Sequence, residues 1–409
     1  MALIATPDSQ NSSPLWPLLA TLSMQTLATM AAFSTPATAP AIAADLGVSG
    51  GLVGAFVAII YGVGILSSLL SPSFVLRYGA TRVLQIVLVA VVAMLAAASA
   101  GAIATLAAGA VLLGLAYGAT APASTHLLVP HTPQRVFNLV MSIRQIGVPL
   151  GGVFAGLVVP PLAVAFGWRA ALLAEIPASV ALIALLEYPR RRWDMDRKPA
   201  YPLFIGALSQ PLRLWRDNVA IRRLALASFA YTGVQLCFIT FMTLHLTQSA
   251  GFDLVHAGWA LAAYQVAGAI SRPVLGHVAD RLVPPTTLLA LTGALMFAAS
   301  EAFADISGHW AGWQVAIVCL LAGASGSGFT GLAYAEFARL GGAQRTEATG
   351  LGSASMFLGV LVVPPLFGLL EAVVGGFAAS FVALGLLALA GSAIMVAATA
   401  GGARSDSGT

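Results

Sequence analysis

Pro189-Arg190-Arg191-Arg192-Trp193-Asp194-Met195-Asp196-Arg197-Lys198-Pro199-Ala200-Tyr201-Pro202 is a basic, proline-marked stretch near the middle of a 409-residue chain that is otherwise apolar. Hydrophobic residues make up 59% of the chain and charged residues 8%, where a soluble domain carries about 25% charged residues. Too few charges remain to cover a water-facing surface, and so high an apolar content excludes disorder. The net charge is only +4, so nucleic-acid binding is a poor explanation of the basic balance. An integral membrane protein is the class that fits. Cys237 and Cys319 lie inside apolar runs, which points to neither a disulfide framework nor a metal site. The first basic residue is Arg77, so the N-terminus does not read as a secretory signal.

A helix needs about 20 apolar residues to cross a hydrocarbon core of about 30 Å. On that criterion the sequence predicts spans at 15–39, 50–75, 82–100, 103–127, 137–162 and 168–188 before the basic stretch. Six more follow it, at 221–248, 255–278, 285–304, 312–337, 348–371 and 374–400. The expected organisation is an N-terminal six-helix bundle (1–188), a linker (189–220) and a C-terminal six-helix bundle (221–409). Cytoplasmic loops hold the Lys/Arg excess. With both termini inside, Arg77, Arg82, Arg135, Arg281, Arg339 and Arg345 fall on the cytoplasmic side. So do the nine basic residues of the linker and the start of span seven, which face three acids. Arg169 alone is left outside, with Asp45, Asp253, Asp305 and Glu371. The expected location is therefore a cell membrane, taken as the bacterial inner membrane, with both termini cytoplasmic. The linker would contact anionic headgroups.

The two halves echo each other. Val158-Val159-Pro160-Pro161-Leu162 recurs as Val362-Val363-Pro364-Pro365-Leu366, 204 residues on. Arg77 after span two and Arg281 after span eight have the same separation, and Gln25 and Gln235 are 210 apart. Internal repeats are a mark of transporter folds.

The loop after span eight reads Gly276-His277-Val278-Ala279-Asp280-Arg281. It looks like the G-x-x-x-D-R signature of the major facilitator superfamily, which the chain resembles along its whole length. The resemblance implies twelve helices in two pseudo-symmetric bundles, no cofactor, and a small-molecule substrate moved by alternating access in a monomer. It also implies a cytoplasmic lock at Gly276, Asp280 and Arg281, with the Asp near a neighbouring helix N-terminus and the Arg on nearby acids. The N-half counterpart keeps Arg77 and Gly79 but has Leu76 where the Asp would stand, so that half of the lock is weakened or built differently. Gly114, Gly118 and Pro122 resemble the family's glycine-rich fourth helix, with Ala110 where proton-coupled drug exporters place an Arg. Gly147-Val148-Pro149-Leu150-Gly151-Gly152 resembles the antiporter signature G-P-x-x-G-G with one residue displaced. Such glycines equally serve close helix packing.

Ionisable groups inside spans are costly and by default functional. Arg144 in span five and Arg272 in span eight both sit roughly 10–12 Å inside from the cytoplasmic end at 1.5 Å per residue. By the resemblance these spans face each other across the halves. Two facing cations repel unless an anion lies between them, most simply a carboxylate held by guanidinium forks. The segment Arg272-Pro273-Val274-Leu275-Gly276 also looks like the eighth helix of monocarboxylate and oxalate transporters. Alternatively Arg272 snorkels and pairs with Asp280 or Glu336. Gln25, Tyr61, Gln235 and Gln265, with Gln145 beside Arg144, are the candidate polar lining of a central cavity. Glu175 in span six and Glu336 in span ten are the candidate carriers of a coupling proton, though Glu336 is also placed for an ion pair with Arg281 or Arg339. His126 and His245 read as interfacial. No G-x-x-x-x-G-K-[ST], H-E-x-x-H or G-x-S-x-G is present, which disfavours an ATPase or a membrane enzyme. A channel would draw its selectivity ring from oligomeric symmetry, whereas the symmetry here is internal. The expected function is a secondary transporter of an organic anion, the alternative a proton-coupled drug or metabolite exporter.

Overall fold

The computed structural model describes residues 14–47, 52–203, 208–252, 254–307 and 309–406. Asp253, expected on the outer side, lies outside them, as do the chain ends. The described residues form helices and no strand. The first six spans are α1 (Leu15–Ala37) with the short α2 (Ala39–Leu46), α3 (Leu52–Tyr78), α4 (Ala80–Ser99), α5 (Ile103–Tyr117) with α6 (Thr120–His131), α7 (Phe137–Gln145) with α8 (Gly147–Phe166), and α9 (Trp168–Leu173) with α10 (Ile176–Trp193). A short helix, α11 (Ser209–Asp217), lies in the connection. Then come α12 (Val219–Gln248), α13 (Leu254–Arg281), α14 (Pro285–Asp305), α15 (Gly312–Gly341), α16 (Arg345–Val374) and α17 (Phe377–Asp406). Twelve spans in two six-helix bundles result.

Three spans that read as single helices are broken in the N-terminal bundle, and proline is the cause each time. Proline has no N–H for the carbonyl four residues earlier and its ring crowds that carbonyl. Pro122, Pro149 and Pro177 follow the breaks at Gly118–Ala119, Ile146 and Ala174–Glu175. Nine stretches of the described residues are long and apolar enough to cross a membrane, one of them running through both α15 and α16. The long helices that these stretches leave out are α1 and α13. Both carry candidate site residues, and polar groups in their sequences dilute the apolar signal.

Each bundle has its own hydrophobic core. The members that cross are informative: Leu18 of α1, Ala121 and Leu128 of α6, and Phe137, Val140 and Met141 of α7 join the C-terminal core, and Phe357 of α16 joins the N-terminal one. Substantial contacts between the bundles run from α7 to α13 and α15, from α6 to α15 and α16, and from α3 to α16. The other part of span five, α8, packs on α1 and α9 within its own bundle. The bundles are thus closed against each other on the side of the linker and separate towards the other side.

Small residues permit the closest helix crossings. A Cβ on Gly323 of α15 would lie 2.1 Å from the Tyr264 carbonyl oxygen of α13, a backbone atom that cannot turn aside. Gly323→Ala is expected to destabilise the C-terminal bundle by about 1–3 kcal/mol, read as a lower midpoint of thermal unfolding in detergent. Gly258→Ala, where the added carbon meets nothing within 4 Å, should leave that midpoint unchanged or raise it.

Candidate functional site

Pro149 has a second consequence. Lacking an N–H, it leaves the Gln145 carbonyl without its helical partner, and Arg272 of α13 donates Nη1 to that oxygen across the seam between the bundles. Arg272 also donates Nε to the Ser327 carbonyl (3.0 Å) and Nη2 to Ser327 Oγ (3.0 Å), both on α15. Arg144 donates Nη1 to the Gln145 side-chain oxygen (2.6 Å). Its Nη2 reaches Gln25 Oε1 (2.7 Å), the Thr120 carbonyl (3.1 Å) and Ser124 Oγ (3.2 Å). Gln145 therefore sits between the two arginines, its amide oxygen on one and its backbone oxygen on the other.

Both arginines are 1% exposed. Among the described residues neither has a carboxylate within ion-pair distance. The expected alternative partners are engaged elsewhere: Glu336 accepts from Arg339 Nε at 2.7 Å, and Asp280 caps α7. Arg144 Nε has no acceptor among the described residues. Two guanidinium charges, which cannot be deprotonated in a protein, are thus held by neutral dipoles alone.

The other sequence-expected lining residues divide. Gln25 donates Nε2 to Thr29 Oγ1 (3.0 Å) and to Tyr117 Oη (3.4 Å), besides accepting from Arg144. Gln235 donates to Ser327 Oγ (3.2 Å), which joins it to Arg272. Tyr61 and Gln265 are half-buried and make no side-chain hydrogen bond among the described residues. Tyr61 instead meets the rings of Tyr117 and Phe357. Glu175 lies apart, at the α9–α10 break, 6% exposed with Oε1 unpartnered. Tyr117, Ser124 and Ser327 were not singled out from sequence; a tyrosine and two serines in apolar helices carry no signal of their own.

Two carboxylates on the linker side cap helix N-termini in the same geometry, Asp280 across the seam between the bundles and Asp194 within the N-terminal bundle. Asp280 accepts from the backbone N–H of Asn138 and of Leu139 (2.9 Å each) and from Asn138 Nδ2 (2.8 Å), at the N-terminus of α7 in the other bundle. Asp194 accepts from the N–H of Thr81 (2.8 Å) and of Arg82 (3.0 Å) at the N-terminus of α4. A carboxylate satisfies the orphan amides there and complements the helix dipole. Burial holds the Asp194 carboxyl above the ordinary aspartate range despite those bonds. Gly79 is required beside it: its φ is +94°, and a Cβ would fall 2.3 Å from the Asp194 carboxyl carbon. Gly276 lets α13 reach α7, since a Cβ there would lie 2.7 Å from the Asn138 carbonyl oxygen.

Two expectations are corrected. Arg281 is exposed and pairs with no acid among the described residues, while Arg77 donates to the Tyr201 carbonyl of the linker (3.3 Å). His126 and His245 are buried rather than interfacial. His245 bonds the Phe303 carbonyl (2.8 Å), and His126 lies between Asp196 Oδ2 (2.7 Å) and Thr346 Oγ1 (2.8 Å). The glycines of the antiporter-like segment abut span one: Cβ atoms on Gly147 and Gly151 would lie 2.9 and 2.5 Å from the Leu22 and Thr26 carbonyl oxygens.

The family model described as Major Facilitator Superfamily matches residues 21–341. Among curated relatives, the uncharacterized MFS-type transporter Rv2994 of Mycobacterium tuberculosis is 28% identical over 62% of this chain and 56% of its own length. The chloramphenicol efflux pump Rv0191 of the same organism is 27% identical, over 68% and 67%. The 4-hydroxybenzoate transporter PcaK of Pseudomonas putida is 26% identical, over 48% and 51%. The chain thus spans little more than half the length of the first of these. Two solved structures share the fold: the human organic anion transporter MFSD10, with TM-score 0.73 and 16% identity over 95% of this chain and 100% of that one, and the E. coli fucose:proton symporter FucP, with 0.69 and 15% over 94% and 98%.

Proposed function

Because the chain belongs to the major facilitator superfamily, we propose that it carries a small organic anion, with a carboxylate held between Arg144 and Arg272. That it is a membrane transporter of small molecules and not an enzyme follows from the family. The anion reading rests on one observation: two fully buried guanidinium groups at the seam of the bundles with no carboxylate among the described residues to balance them. Breaking or omitting one partner of a buried ion pair costs several kcal/mol, and a substrate carboxylate removes that cost while it is bound. The 4-hydroxybenzoate transporter among the relatives supports the same class. The basic linker side is taken as cytoplasmic in a bacterial inner membrane, so the bundles described here are closed inwards. The internal repeat gives one pathway per chain, and the proposed working unit is the monomer.

A second reading, efflux of a drug or metabolite coupled to protons, is favoured by the chloramphenicol pump among the relatives. Of the two candidate proton carriers, Glu175 is the one with a free buried oxygen, whereas Glu336 is committed to Arg339. Proton coupling through Glu175 serves either substrate class.

Thermal unfolding of the purified chain in the presence of simple carboxylates and of chloramphenicol separates the readings. Carboxylates are expected to raise the midpoint of the parent, with binding weakened roughly tenfold to a hundredfold in Arg144→Ala and Arg272→Ala. Stabilisation by chloramphenicol alone, or by carboxylates to the same degree in both variants, contradicts the anion reading. In reconstituted vesicles Glu175→Gln is expected to flatten the pH dependence of transport while Glu336→Gln preserves it; the reverse pattern would move the proton site to α15.

A further inference from the structure

Three rings meet beside Arg144. Phe357, from the C-terminal bundle, stands edge-on to Tyr61 of α3 (centroids 5.3 Å, planes at 66°) and stacks against Tyr117 of α5 (5.9 Å, 26°). Tyr61 and Tyr117 stand at 90° to each other, 6.2 Å apart. Together the two tyrosines form a slot with one face and one edge, the arrangement an aromatic quadrupole favours for a third ring. Phe357 is the visitor, being the member the opposite bundle contributes to this core. The slot is tied to the cation: Tyr117 Oη bonds Gln25 Nε2, and Gln25 Oε1 accepts from Arg144. Arg144 itself lies over the Tyr334 ring at 6.0 Å and keeps Nε without an acceptor.

We infer that the substrate is an aromatic carboxylate whose carboxyl group binds Arg144 and Arg272 and whose ring takes the Tyr61–Tyr117 slot that Phe357 fills in the closed state. This rests on the anion reading and narrows it. As the bundles rock apart on the linker side, α16 withdraws Phe357 and the slot passes to the substrate ring. Tyr61 makes no side-chain hydrogen bond among the described residues, so its Oη is available to a polar substituent on that ring.

The test compares benzoate with cyclohexanecarboxylate, equal in charge and close in size, by competition binding to the full chain. Benzoate is expected to bind roughly threefold to tenfold more tightly, the range of one aromatic pair, with the preference lost in Tyr61→Leu and kept in Leu66→Ala, an exposed position on the same helix. Equal binding of the two acids overturns the aromatic inference and leaves the anion reading standing. Binding of neither acid overturns both.

A second inference comes from a different contact. The N-half of the lock lacks its acid at Leu76, and the linker stands in that place: Lys198 N–H donates to the Leu76 carbonyl (2.7 Å), and Asp196 engages His126. His126 in turn bonds Thr346, the second residue of α16 in the opposite bundle. We propose that Asp196–His126–Thr346 is the N-half gate, with the linker supplying the missing carboxylate. Glu347, Arg345 and Lys198 are the charged groups around it. Burial raises the Asp196 carboxyl, but the His126 bond and charge more than offset this and hold it below the ordinary aspartate value.

Ser142, buried where α7 meets α13 and α15, serves as the reporter when replaced by Cys. In Asp196→Asn its alkylation by a membrane-impermeant thiol reagent, applied from the linker side, is expected to rise at least about threefold, in the same direction as with Asp280→Ala. No rise with Asp196→Asn while Asp280→Ala opens the gate overturns the proposal.

Discussion

Two permanent positive charges buried at a seam between helical bundles are a constraint that the surrounding structure has to meet. A guanidinium in a low-dielectric interior costs several kcal/mol even after relaxation, and two near one another cost more. The chain meets this with oriented dipoles instead of acids. Gln145 presents its side-chain oxygen to Arg144 and its backbone oxygen to Arg272. The backbone oxygen is free because Pro149 cannot donate to it, so the break in span five is part of the site and not an accident of packing. Ser327, Thr120 and Gln25 complete the shell. Dipoles can solvate the cations without neutralising them, which keeps the site receptive to an anion.

The same seam is where the bundles close. Asp280 of one bundle caps α7 of the other about one and a half turns from Arg144, on the same helix that carries it. Substrate site and gate are therefore mechanically continuous through α7: a movement of α13 that frees the Asp280 cap also moves Arg272 away from Gln145. An anion bridging the two arginines adds attraction across the seam, and its loss removes that attraction. Alternating access follows if each state's contacts are worth only a few kcal/mol more than the other's.

The twelve spans, the six-and-six division and the candidate arginines were legible in the sequence, because hydropathy and charge position report directly on the bilayer. The breaks were not. Pro122, Pro149 and Pro177 lie in runs so apolar that composition gives no boundary, and a proline in a membrane helix does not by itself say whether the helix kinks or divides. The gate was half legible. The sequence singles out Gly276, Asp280 and Gly79, but the acids that serve the N-terminal bundle, Asp194 and Asp196, sit in a linker whose charges read as headgroup contacts. His126 was misjudged as interfacial because its partners are 70 and 220 residues away in the chain. Contacts of that range leave no local pattern. The arginines' lack of acidic partners was equally invisible, since Asp280, on the same helix as Arg272, and Glu336, near the inner end of span ten, could both have served.

The most direct measurement is anomalous diffraction from crystals of the full chain grown with 4-bromobenzoate. The bromine is expected in the central seam beside Tyr61 and Tyr117, with carboxylate density within hydrogen-bond reach of Arg144 and Arg272. Bromine density confined to the protein surface, with the two arginines still bridged by Gln145 alone at saturating ligand, would contradict an anion site there.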